Sequence, residues 1–218
     1  MNKKFGWMFC LLALAICASS LPAMADTLYG NLGSGGSYQA SSGYTIAGTG
    51  GGLPQSVAEE FQVGFNGNVN EIDAGVGWIS GDNHFIMTLW EGSAPNVGVQ
   101  LGQWTLVSPQ NYPGCCGLMS EAGLSIPVNT ADTYWLIISP TSFTSTTVGV
   151  WNLSNSTNGQ LDTSTDGGNT WYNDGVTSQS AFQVLGSAGG TTPEPSSLLL
   201  LGTGLVGAFG VVRRKLNR

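Results

Sequence analysis

Between residues 56 and 185 apolar and polar residues alternate in short runs, and no long stretch repeats its apolar positions every 3.6 residues. The pattern predicts strands. Residues 27–30 form the first. Residues 56–65 form a second, with Val57, Phe61, Val63 and Phe65 inward. Residues 69–79 form a third, with Ile72, Ala74, Val76 and Trp78 on one face. In 84–90, Phe85, Met87 and Leu89 alternate with Ile86, Thr88 and Trp90. Both sets are partly apolar, as in a strand with neighbours on each side. Further strands are expected at 97–107, bulged at Gly102, and at 124–128, 133–139, 148–151 and 181–185. The rest is Gly, Ser, Pro and Asn: a loose arm at 26–53, a loop at 108–123 and a linker at 187–192. Eight or so short strands without helices predict an all-β fold, an antiparallel β-sandwich of jelly-roll type over residues 26–186.

The ends of the chain follow a different pattern. Lys3 and Lys4 precede an apolar run at 9–18, and Ala23 and Ala25 place small residues at −3 and −1 of a cleavage site before Asp26. Residues 1–25 read as a signal peptide for signal peptidase. Leu14-Ala15-Ile16-Cys17 is a poor lipobox, because Ile16 is bulky where a small residue is needed. At the other end Pro193-Glu194-Pro195 is followed by fifteen uncharged residues, 198–212, and then by Arg213-Arg214-Lys215. As a helix that apolar run is about 22 Å long, short of a hydrocarbon core of about 30 Å. It suits a transient membrane anchor, with its basic end held in the cytoplasm.

Charge sharpens this division. The net charge is −7, yet all six Lys and Arg lie in the two terminal segments, while residues 26–192 carry twelve Asp and Glu and no cation. Nucleic-acid binding needs cations on phosphates and is excluded. So is carboxylate or phosphate capture by an Arg fork. Burial, backbone ladders and neutral hydrogen bonds must hold the fold.

Cys10 and Cys17 leave with the signal peptide, and Cys115 and Cys116 remain side by side. Outside the cell they are expected to oxidise, to a vicinal disulfide or to bonds between chains. With His84 as the single His, two thiols do not make a zinc site. No G-x-S-x-G elbow accompanies His84, and Glu59, Glu60, Glu91 and Glu121 read as solvated carboxylates. No cofactor and no enzymatic activity are expected.

Ser164, Asp166, Gly168 and Trp171 fit the spacing Ser-x-Asp-x-Gly-x-Thr-Trp. This resembles the Asp box of sialidases and other β-propellers, which is a turn and not a catalytic motif. Asp166 can accept from the turn's own N–H groups and Gly168 can take positive φ. A single copy without arginine removes the sialidase reading. Asp162 and Asp166 also imitate the start of a calcium loop, but position twelve is Asn173 where a bidentate Glu is required.

The tail of Pro193, Glu194 and Pro195, the apolar 198–212, and Arg213, Arg214 and Lys215 resembles the PEP-CTERM sorting signal of exported bacterial proteins. That resemblance implies recognition and cleavage by exosortase, a transient inner-membrane stage, then the cell surface or the extracellular matrix, often rich in exopolysaccharide. Residues 58–61, 69–78, 85–90, 126–138 and 182–186 together resemble the choice-of-anchor domains, exported β-sandwich modules without an assigned catalytic site. The expectation is a non-enzymatic exported surface protein. Its alternative is a carbohydrate-binding module, with one or two of the six tryptophans of residues 26–192 exposed for sugar stacking.

Overall fold

The computed structural model describes residues 25–188. The expected signal peptide with Ala23, and the sorting tail with Pro193, Glu194, Pro195, Arg213, Arg214 and Lys215, lie outside the described residues. Among the described residues no helix is long and apolar enough to cross a membrane.

The strands, in chain order, are β1 (Asp26–Gly30), β2 (Gln39–Ala47), β3 (Ser56–Phe61), β4 (Gly67–Ala74), β5 (Val76–Ser80) and β6 (Phe85–Ala94). They continue as β7 (Val97–Leu106), β8 (Met119–Val128), β9 (Tyr134–Pro140), β10 (Val148–Ser164), β11 (Tyr172–Ser180) and β12 (Phe182–Ala188). They pair antiparallel in two sheets. One has the order β1-β12-β4-β8; the other has β11-β10-β3-β9-β6-β7, with β2 and β5 both on β10. The architecture is a β-sandwich.

Its interior follows from the alternation. Phe85, Met87 and Leu89 of β6, Leu136 and Ile138 of β9, and Val57 and Phe61 of β3 face Ile72, Phe182 and Val184 of the smaller sheet. At roughly 1.5–3 kcal/mol per large apolar side chain, this burial is the main stabilising term. An aromatic knot sits at its centre. The Phe61 and Phe182 rings meet edge to face at 5.5 Å, Tyr29 stacks on Phe182 at 4.9 Å, and Trp151 lies 5.8 Å from Phe182. The Trp151 indole N–H donates to the Ala181 carbonyl at 3.0 Å, so its one polar group is satisfied in the core.

Several expectations change. The 26–53 arm is largely ordered, because β2 pairs with β10 from Gln39 to Ala47. The predicted strand at 69–79 is two strands. The chain crosses from one sheet to the other at Gly75, so β4 pairs with β12 and β5 with β10. Strand β8 begins at Met119, inside the predicted loop. The short strand expected at 148–151 is 17 residues long, and it is followed by β11, which alternation did not indicate. Strand β12 runs to Ala188, into the predicted linker. Strand β3 ends at Phe61, although Val63 beyond it is still buried.

Candidate functional site

The inward parity of β3 includes Glu59, between Val57 and Phe61. Glu59 is fully buried and is not the solvated surface carboxylate that the sequence suggested. Its Oε1 accepts from the Ser180 backbone N–H at 2.7 Å, while Oε2 has no partner among the described residues. Burial pushes its pKa up to about 8, against the hydrogen bond from Ser180, so it is a neutral acid at pH 7. No solvent reaches it, and it is therefore a structural acid. His84 stands at the exposed start of β6 and pairs with Asp82.

The other face of the larger sheet is more open. Odd-numbered β9 residues and even-numbered β6 residues point away from the core. In register, Glu60 of β3 lies opposite Trp135 of β9, Trp135 opposite Trp90 of β6, and Trp90 opposite Gln100 of β7. One step along, Ala58, Ile137, Thr88 and Gln103 form a parallel row. Ala58, Trp135 and Ile137 make a second, small apolar cluster, separate from the core, with Trp90 and Trp171 packed on it.

Trp171 arrives there through the Asp-box turn. The Asp166 carboxylate accepts from the Thr170 N–H at 2.9 Å, from the Thr170 hydroxyl at 2.5 Å and from the Ser164 hydroxyl at 2.9 Å. The Gly168 N–H donates to Ser164 Oγ at 2.8 Å. Gly167 and Gly168 take φ of 77° and 90°, which a Cβ would disfavour. The Thr170 hydrogen bonds hold the Asp166 pKa down to about 2, so the turn stays locked at every ordinary pH. This closed loop delivers the Trp171 ring onto Ala58, Trp135 and Ile137 of the neighbouring strands.

A further contact completes the enclosure. Asn96, at the tip of the β6–β7 hairpin with φ of 62°, donates through its side-chain amide to the Gly168 carbonyl at 3.2 Å. Hairpin tip, Asp-box turn and the residues after β9 thus rim a cleft of about 230 Å³ on the sheet. Trp90 and Trp171 line it with Thr88, Gln100, Gln103 and Phe143. Neither acid nor base, and neither His nor Cys, is among its lining residues. Gln100 and Gln103 were not singled out by sequence, and Trp90 and Trp171 only as two of six candidate tryptophans for sugar stacking. The outward set Ile86, Thr88 and Trp90 was the available signal, since an apolar residue on the solvent side of a strand has to be covered by something.

The remaining sequence candidates lie elsewhere. Cys115 and Cys116 are joined in a disulfide on the loop before β8. Gln110 organises that loop. Its amide donates to the Gly114 carbonyl at 2.6 Å, and its Oε1 accepts from the Gly117 N–H at 2.7 Å. Asp162 and Asp166 do not form a calcium set. Asp162 accepts from the Gln160 amide at 2.9 Å while Asp166 serves its own turn. Among the described residues no group of three His, Cys, Asp or Glu is placed to hold a metal.

The β-sandwich is followed in sequence by the tripartite C-terminal tail. Over residues 191–215 the chain matches the PEP-CTERM protein-sorting motif. The motif implies exosortase as processing partner and export to the cell surface. No curated protein matches the chain.

Proposed function

We propose that this protein works at the cell surface as a non-catalytic binding protein, and that the cleft between Trp90 and Trp171 takes up a segment of surface polysaccharide. The observation that carries this reading is the pairing of two partly buried indoles with an uncharged, amide-rich wall. The C–H face of a pyranose stacks on an indole, and its hydroxyls need groups that both donate and accept, as Gln and Thr do. The absence of acids and bases from the lining favours binding over hydrolysis, because glycoside cleavage relies on a pair of carboxylates across the bond. Glu59, whose pKa is raised to about 8, is sealed in the core away from the cleft and cannot serve there as a general acid. The choice-of-anchor resemblance fits a domain displayed rather than one that turns over substrate.

Affinity electrophoresis through gels that contain polysaccharides tests it. The wild-type protein should be retarded by at least one polysaccharide, and Trp90→Ala and Trp171→Ala should release it. No retardation in any gel, beside a control lectin that is retarded, overturns the proposal.

A further inference from the structure

The cleft also has a charge preference. We infer that it selects neutral glycans and rejects polymers that carry uronate or sulfate; this rests on the reading of the cleft as a glycan site and narrows its ligand. Residues 26–192 contain no Lys or Arg, so the cleft has no cation with which to pair an acidic sugar. What surrounds it is negative. On that outward face Glu60 stands in register beside Trp135 and Asp162 beside Ala58. Burial, and then the nearby Asp162, keep the Glu60 pKa above its usual range. An incoming carboxylate would lose its water and find like charge on the same face, with no cation to offset it.

A neutral sugar meets none of this. Gln100 and Gln103 lie on β7, which has only β6 as neighbour, and their mutual hydrogen bond is long at 3.5 Å. Both amides are therefore free to serve hydroxyls, each as donor and as acceptor. The indole N–H groups of Trp135 and Trp171 are buried and have no partner among the described residues. Neither donor is open to the cleft, so hydroxyl recognition falls to Gln100, Gln103 and Thr88 of its lining. Charge complementarity thus decides between classes of polysaccharide that stacking alone treats alike.

The test compares a mixed-linkage β-glucan and a galactomannan with an alginate of similar chain length. Each is titrated into wild-type protein and Trp90→Ala by calorimetry, at low and at high salt, with and without calcium. Circular dichroism checks that the variant is folded. The expected result is binding of a neutral polymer that falls about tenfold or more in the variant, as loss of an aromatic anchor does. Alginate should give no heat at low salt. Alginate binding as tight as that of the neutral polymers and lost in Trp90→Ala overturns the selectivity but keeps the glycan site. Alginate bound only with calcium also overturns it, in favour of a cation bridge. No binding of any polymer by the wild-type protein overturns both.

Discussion

The backbone N–H of Gly75 donates to the carbonyl of Ala181 at 2.9 Å, joining two of the points at which the chain passes from one sheet to the other. Gly75 separates β4 from β5 and Ala181 separates β11 from β12. Asn152 of β10 clamps both: its backbone N–H and its side-chain amide donate to the Gly75 carbonyl at 2.9 and 2.8 Å, and its carbonyl accepts from the Ala181 N–H at 2.7 Å.

Asn152→Ala removes the side-chain bond at a fully buried point of that junction. A loss of about 1–3 kcal/mol is expected, the cost of a broken buried hydrogen bond, read as a lower urea midpoint with unchanged slope. Gly75→Ala should also destabilise, because a Cβ there would lie 3.0 Å from the Tyr38 ring.

Glu59 makes the fold sensitive to alkali. Its folded pKa, about 8, lies above its ordinary value of 4.5, so its contribution is complete below pH 4.5 and is lost as pH rises through 8. The melting temperature of the wild-type protein should fall between those limits. Glu59→Gln, which keeps an oxygen to accept from the Ser180 N–H, should flatten that part of the profile. A Glu59→Gln profile that slopes as the wild type does would remove the acid from this role.

Asp166 behaves in the opposite sense. Its folded pKa is depressed, so the turn's contribution is present above the ordinary carboxylate range and is lost only as pH falls through about 2. Asp166→Ala should free Trp171 from the second cluster. Retardation by polysaccharide should weaken in this variant while the main thermal transition moves little, since the core does not depend on the turn.

The disulfide of Cys115 and Cys116 closes almost no chain. In the loop-entropy picture its removal costs about 1 kcal/mol, and Cys115→Ser with Cys116→Ser should lower the melting temperature by only a few degrees. A collapse of the fold in that double variant would show that the pair does more than fasten a loop.

Where alternation was strong, the strands could be read directly. Phe85, Met87 and Leu89 against Ile86, Thr88 and Trp90 gave β6, and Tyr134 to Ser139 gave most of β9. The strands that were missed have polar faces. Strand β2 and the second half of β10 are built mainly from Ser, Thr, Asn, Gln and Gly. They are held by ladders to neighbours, and backbone N–H and C=O groups pair without regard to side chain. Glu59 was misplaced for a related reason. Its parity with Val57 and Phe61 pointed inward, and its charge argued for water; burial with the proton retained reconciles the two.

The sequence by itself determined what depends on local order along the chain. That comprises the all-β character, from a period of two; the sorting tail, from its proline, apolar and basic parts in succession; and the Asp-box turn, from residues that bond to one another over a few positions. Only the tertiary structure decided which strands share a sheet and which side of each is covered. It placed Trp171 beside Trp135, Trp90 near Gln100 and the hairpin tip at Asn96 against Gly168. These contacts join residues far apart in the chain, and their pairing is fixed by strand order and register, which no local pattern encodes.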